Sequence, residues 1–549
     1  MNPTAMKASR DSGSGPRATT APTFRILVSD PLAEEGLKIL RDEPSFDVEV
    51  RVKLTPAELA AAVKGRDALI VRSGSKVTKE IIDAADKLKV IGRAGVGLDN
   101  VDPDAASKRG IIVMNTPWGN TVSTAEHTFS LLLALARNIP QAHADLKAGR
   151  WNRSQFVGTE LYGKTLGIVG LGKIGTEVAK RALAFGMRVL AFDPYLTEER
   201  ARQLDIQLAG FEDVLRSADF VTVHTPLSKD TTHLIGTPQF QLMKRGVRVL
   251  NCARGGIIDE VALEAAIADG RVVGAALDVF EEEPPTRRSL LDRDCVIATP
   301  HLGASTEEAQ VTVSVEIAAQ VRDCLLGRGI RNAVNMISLD GATLQALQPY
   351  VNLAEKLGLL ISQLAEGSVS EVKMTYVGDP AARETAPITI AFLKGLLMAA
   401  VGESVNYVNA AMIASERGIK VVEAKSSASQ DFANLIAVDA KTSSGTLTVH
   451  GSLLTKKDPR IVRLDRYYVD AMPQGHMLIT SNVDKPGLVG QLGTILASAD
   501  INIAGMTFGR ERPGGPAITV VNVDSPVPPE VLKQIQAVPN ILNVKLIQL

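Results

Sequence analysis

Short apolar runs alternate with amphipathic stretches from Phe24 onward. Residues 24–28, 68–71, 89–91 and 111–114 read as buried strands, and 33–40, 59–63 and 81–85 carry apolar side chains at helical spacing between them. Strands alternating with helices predict a parallel sheet covered on both faces. The pattern then repeats, with strands at 166–169, 188–192, 220–224, 247–251, 274–278 and 296–299. A long helix carries the chain from one block to the next. It opens at Ser123-Thr-Ala-Glu126, whose spacing is that of a capping box. A second long helix, 306–326, returns the chain to the first block.

Beyond Gly329 the character changes. Residues 353–364 and 391–400 read as helices, and 372–377, 445–451 and 460–464 as strands, which predicts an α+β domain over 340–470. The last block runs strand 477–481, helix 488–498, strands 501–506 and 517–523, helix 529–535 and strand 544–549. That order, βαββαβ, is ferredoxin-like. The expected division is therefore a tail at 1–23, a first α/β lobe from 24–121 and 302–333, and a second at 122–301. The α+β domain at 340–470 and a terminal domain at 476–549 follow.

Composition narrows the class. A chain of 549 residues has room for three or four domains. Its 45% hydrophobic and 22% charged content is that of a globular protein, and a net charge of -1 offers no nucleic-acid or anionic-membrane surface. No apolar run reaches the roughly 18 to 20 residues that a membrane span needs. Cys252, Cys295 and Cys324 form neither a paired framework nor a metal spacing, so no metal is expected and a reducing cytoplasm suits them. The 1–23 stretch is rich in Ser, Thr, Pro and Arg with one acid, Asp11, and reads as a disordered tail. An organelle transit peptide shares that bias.

The second block carries the clearest chemistry. Strand 166–169 breaks at Gly170, Gly172 and Gly175, and a helical pattern follows. In that context the glycines permit a tight turn, a close backbone approach to a pyrophosphate, and close helix–strand packing. The helix N-terminus supplies free N–H groups and a positive dipole end. Asp193, about twenty residues on, is placed to bind ribose hydroxyls, which favours NAD over NADP.

Three residues follow predicted strands or close the loop after one. Arg254 offers a fork for a carboxylate beside a carbonyl. His301 suits proton transfer near neutrality. Glu283 could hold the far nitrogen of that ring and stabilise its protonated form. Alone, each has an ordinary alternative: a surface arginine in a Gly turn, a polar loop histidine, an acidic solvated loop. Together they describe oxidation of a 2-hydroxy acid. In the first lobe, Gly95, Val96 and Gly97 could form a backbone nest for a carboxylate or a plain tight turn. Arg72 could meet a substrate phosphate or face solvent, and Asn120 completes the expected substrate set.

The Gly-Leu-Gly-Lys-Ile-Gly turn, Val223-His-Thr-Pro226, Asn251-Cys-Ala-Arg-Gly-Gly256, Asp278-Val-Phe and Pro300-His-Leu-Gly-Ala-Ser305 resemble the D-isomer-specific 2-hydroxy-acid dehydrogenase family from Phe24 to about Gly329. The resemblance implies two Rossmann-like lobes and a catalytic set of Arg254, Glu283 and His301. It also implies NAD contacts from Ser75, Lys173, Ile174, Asp193, Thr225, Cys252, Ala253, Arg254, Asp278, His301, Leu302, Gly303 and Ala304. Arg93-Ala-Gly-Val-Gly-Leu-Asp-Asn-Val-Asp102, Gly158-Thr-Glu-Leu-Tyr-Gly-Lys164 and the two-domain tail are similar to the long, ACT-bearing branch of that family. Members of that branch oxidise 3-phosphoglycerate to 3-phosphohydroxypyruvate at the head of serine synthesis. Several also reduce 2-oxoglutarate, and they are usually homotetramers. The branch implies an L-serine effector at Asn482, Asp484 and Asn502, where Asn482 departs from the aromatic or histidine of some relatives. The alternatives are a glyoxylate, hydroxypyruvate or lactate reductase, and a catalytically silent NAD sensor acting as a corepressor-like protein.

Overall fold

Strands Ala68–Val71 and Thr165–Val169 are buried along their whole length, as expected where helices cover both faces of a parallel sheet. The computed structural model describes residues 24–426, 432–455 and 458–549, and the expected tail lies outside them. Five strands form the first sheet: β1 (Phe24–Val28), β2 (Phe46–Val50), β3 (Ala68–Val71), β4 (Val90–Arg93) and β5 (Ile112–Met114). They are all parallel and lie in the order 2-1-3-4-5. The second sheet holds β6 (Thr165–Val169), β7 (Arg188–Phe192), β8 (Gln207–Leu208), β9 (Phe220–Val223), β10 (Val247–Asn251), β11 (Val272–Leu277) and β12 (Val296–Ala298), again parallel, in the order 12-11-10-9-6-7-8. Strand order reverses between β6 and β9, and between β1 and β3. Ligands of open α/β sheets bind at such switch points, beyond the carboxyl ends of the strands.

Two helices join the lobes. Thr121–Arg137 leads into the second sheet. Glu307–Leu325 returns and buries Val313, Ile317 and Val321 against Ile26 and Val28 of β1. The capping box expected at Ser123 is absent. The helix begins earlier, after Asn120, and Ser123 lies inside it with its hydroxyl donating to the Gly303 carbonyl at 2.8 Å. A tertiary bond has taken the side chain that local spacing assigned to a cap. Past the return helix the chain splices onto β5, the edge strand. Val334 N–H donates to Val113 O at 2.9 Å, and Val113 N–H donates to Asn335 Oδ1 at 2.9 Å.

The α+β domain is built on helices Gly341–Leu364 and Ala386–Val401. They touch through Gly358 and Gly395, where any Cβ would run into the backbone of the other helix. Its sheet contains β13 (Val369–Val377), β14 (Lys420–Ser426), β15 (Leu435–Thr442), β16 (Gly445–Thr455), β17 (Asp458–Leu464) and β18 (Tyr467–Ala471), in the order 14-13-15-16-17-18. Only the β13–β14 pair is parallel.

The terminal domain is the expected βαββαβ unit. Strands β19 (His476–Val483), β20 (Ile503–Arg510), β21 (Pro516–Val523) and β22 (Ile541–Gln548) form an antiparallel sheet in the order 20-21-19-22. Leu478, Val521 and Val523 bury one face of the sheet with the helices Leu488–Ser498 and Pro529–Gln536. Met477, Ile479, Ile518, Val520 and Ile547, on the other face, share one apolar core with Leu357, Leu464 and Ala471 of the preceding domain. Among the described residues no helix is long and apolar enough to cross a membrane.

Candidate active site

Each glycine after β6 has a distinct physical task. Gly170 has φ 93°, a left-handed conformation that suits glycine, and a Cβ there would lie 2.7 Å from His224 O. Gly172 faces open space, as a surface approached by a phosphate should. Gly175 packs against the Gly170 carbonyl so closely that no Cβ fits. The helix Lys173–Ala184 starts directly after Gly172. Asp193, at the end of β7, braces this turn. Its carboxylate accepts from Leu171 N–H at 2.8 Å and Tyr195 N–H at 2.9 Å. Lys173 Nζ donates to Pro117 O at 3.2 Å and stands 3.1 Å from the centre of the Trp118 ring.

The carboxyl ends of both sheets line one cleft of about 720 Å³, and Lys173, Ile174, Thr225, Cys252, Ala253, Arg254, Asp278, His301, Gly303 and Ala304 face it from the second lobe. His301 Nδ1 lies 2.9 Å from Glu283 Oε2. Its Nε2 makes no hydrogen bond among the described residues. Glu283 is itself steadied by Phe280 N–H, which donates to Oε1 at 3.2 Å. An imidazole oriented this way by a carboxylate can accept a hydroxyl proton at Nε2. Arg254 reaches across the cleft. Its Nε donates to Asp99 Oδ2 at 2.9 Å, and Nη1 to its own neighbour's carbonyl, Ala253 O, at 2.6 Å.

From the first lobe come Arg72, Arg93, Gly95, Val96, Gly97, Asp99 and Asn120. Arg93 was not singled out from the sequence, although it occupies the end of β4 as Arg72 follows β3. Burial, together with repulsion from Arg254 and Arg72, pulls its pKa down to about 10, which leaves it cationic at neutrality. Arg93 Nε, Asn120 Oδ1, Thr121 Oγ1, His224 Nδ1 and Thr225 Oγ1 are buried and lack a partner among the described residues. All five residues line the cleft. Buried polar atoms are normally paired, so this concentration fits a polar, anionic ligand. Burial pushes the His224 pKa down to about 4, leaving a neutral ring. It pushes the Cys252 thiol up to about 12, which suits packing rather than nucleophilic attack.

Two expected contacts, Ser75 and Leu302, do not line the cleft, whereas Asp278 does. Ser75 is buried beneath the first-lobe loop, its hydroxyl 2.8 Å from Ser29 Oγ and its N–H donating to Asp30 Oδ2 at 3.0 Å. Leu302 is partly exposed. Asp278 is fully buried, and its carboxylate accepts from Leu302 N–H at 2.7 Å and Gly303 N–H at 2.9 Å. The three effector candidates do not meet within one chain. Asn482 is buried among Thr480 and Thr519, whose hydroxyls donate to its Oδ1. Asp484, close by, pairs with Arg510 at 2.7 Å. Asn502 donates to Asp524 Oδ2 at 2.6 Å, just before Ile503, which pairs with Val523 at the opposite end of the sheet.

Comparison with known proteins agrees with this architecture. Residues 129–303 match the D-isomer specific 2-hydroxyacid dehydrogenase NAD binding domain. Residues 346–465 match the D-3-phosphoglycerate dehydrogenase intervening domain, and 476–540 the ACT domain. The D-3-phosphoglycerate dehydrogenase of Methanocaldococcus jannaschii is 46% identical over 526 residues, 96% of this chain and 100% of that one. That of Bacillus subtilis is 45% identical with the same coverage. Among solved structures, the TT0316 protein of Thermus thermophilus aligns with a TM-score of 0.53 and 38% identity over 56% of this chain and 99% of its own. A D-lactate dehydrogenase of Aquifex aeolicus, complexed with NAD and lactic acid, aligns with a TM-score of 0.51 and 29% identity over 55% of this chain and 96% of its own. With near-complete coverage by its relatives and three matched domains in series, the chain belongs to the D-3-phosphoglycerate dehydrogenases, within the D-isomer-specific 2-hydroxyacid dehydrogenase family.

Proposed function

We propose that the protein oxidises 3-phosphoglycerate at C2 to 3-phosphohydroxypyruvate with NAD, opening serine synthesis. The observation that carries this reading is the His301–Glu283 pair and Arg254 at the same cleft as Arg72 and Arg93. The glycine turn, Asp193 and the rim of Lys173, Ile174 and Thr225 would hold NAD, which accepts the hydride leaving C2. Arg254 grips the substrate carboxylate and polarises the developing carbonyl. His301 Nε2 takes the hydroxyl proton while Glu283 fixes the ring. Arg72 and Arg93 hold the phosphate, a group that lactate and glyoxylate lack.

One set of initial rates tests the reading. Turnover of 3-phosphoglycerate with NAD should exceed that of D-lactate, and should exceed that with NADP. A preference for D-lactate would favour a simple reductase, and an inert protein would favour an NAD sensor. In the same assay L-serine should lower the rate if Asn482 and Asp484 of one copy and Asn502 of another form an effector site. No response up to millimolar serine would remove that site.

We propose a homo-oligomer, expected to be a tetramer. Ile139, Leu146, Trp151, Val157 and Tyr162 expose large apolar side chains along one stretch, which is unusual for a monomer's surface. Sedimentation should show assemblies larger than the 58.4 kDa chain, and Trp151→Ser with Tyr162→Ser should shrink them. A parent protein that sediments as the single chain would contradict this.

A further inference from the structure

His301 is held in an unusual backbone conformation. Its φ is 55°, in the left-handed region that non-glycine residues seldom occupy. The turn is held chiefly by Asp278, with Thr299 O also accepting the His301 N–H at 3.0 Å. Asp278 O accepts the His301 N–H at 2.9 Å, and the Asp278 carboxylate takes the next two N–H groups, Leu302 and Gly303. Thr299 Oγ1 also donates to Asp278 Oδ1, at 2.6 Å.

The same carboxylate is tied to the helix that joins the lobes. His127 Nε2 lies 3.1 Å from Asp278 Oδ1 and 3.2 Å from Thr299 Oγ1. Thr299 donates to Asp278, so its lone pair can receive the His127 N–H that Asp278 shares. One turn earlier, Ser123 and Thr124 donate to Gly303 O at 2.8 and 3.1 Å. Positions 123, 124 and 127 thus face one loop, and His127 is the member that reaches a buried charge. Burial by itself would lift the Asp278 pKa, but the hydrogen bonds from His127, Thr299 and Leu302 hold it below the usual carboxylate range.

We propose that His127 is a positioning residue for the proton transfer at His301: its Nε2–H holds the Asp278 carboxylate, and Asp278 holds the His301 turn. The proposal rests on His301 being the base. Without the His127 donor, Asp278 Oδ1 keeps only Thr299 and Leu302, and the buried carboxylate loses its tie to the joining helix. The 301–303 turn relaxes, and the imidazole leaves its working position while the arginines that bind substrate stay in place.

Steady-state kinetics with 3-phosphoglycerate and its 2-deuterated form test it in the full-length protein. His127→Leu should lower kcat about 10- to 100-fold, the range for an ångström-scale misplacement. The KM for 3-phosphoglycerate should stay within about twofold of the parent. The deuterium isotope effect on kcat should rise as chemistry becomes slower than product release. His127→Gln, which retains an N–H donor of similar reach, should recover most of kcat. If His127→Leu does not fold, His127→Asn, whose amide stops short of Asp278, should give the same loss and the same isotope effect. Parent-like kcat in the Leu or Asn variant, an unchanged isotope effect, or a Gln variant as slow as Leu would each overturn the role. A parent protein inert toward 3-phosphoglycerate would instead remove the reading beneath it.

Discussion

His301→Asn is expected to lower turnover of 3-phosphoglycerate by about 10²- to 10⁴-fold, the usual contribution of a placed general base. Asparagine is the informative replacement because it tolerates the left-handed backbone that His301 adopts. The turn and its N–H bonds to Asp278 should survive, so NAD affinity, read by quenching of protein fluorescence, should change little. Glu283 would lose its partner at 2.9 Å but is partly exposed, and stability should fall only slightly. A variant within tenfold of the parent would show that the proton leaves by another route. An equal loss of NAD binding would show that the side chain serves the cofactor rather than the proton.

Arg254→Leu should reduce kcat/KM by about 10²- to 10³-fold, the scale of losing one paired charge in a closed site. The side chain bridges the lobes, with Nε on Asp99 and its outer edge against Gly97, where any Cβ would strike the guanidinium. Asp99 is largely exposed, so its loss of a partner is cheap. The effect should therefore appear in catalysis and not in thermal stability. Arg254→Lys should recover only part of it, because an ammonium cannot present a planar fork. Full activity in the lysine variant would mean that simple charge suffices.

Much of this arrangement was legible because its signals are local. The glycine turn, Asp193 and the residues after β10 and β12 lie within short motifs whose neighbours decide their geometry. β2, an edge strand, lacks the continuous apolar run that marks the other strands: Asp47 and Glu49 alternate with apolar side chains, a period-two signal of a half-buried strand. The helix Gly341–Leu364 was expected to start only at residue 353, since Pro349 lies inside it and reads as a breaker. Ser123 reads as a cap from its local spacing, which carries no trace of Gly303, 180 residues away. Arg93 carried the one signal that went unused, a cation at a strand end beside another. Asp278 lines the cleft and also anchors the loop that carries His301, a second task set by tertiary hydrogen bonds that the sequence does not show.

The shared interior beneath the C-terminal sheet has a mechanical meaning. Tilting that sheet alone would tear Met477, Ile479 and Ile547 from the neighbouring apolar side chains. The back half of the molecule therefore forms one packed unit. It meets the first lobe at the splice at 334–335 onto β5, next to the strand that ends in Arg93, and at Lys108, whose carbonyl accepts from Asn409.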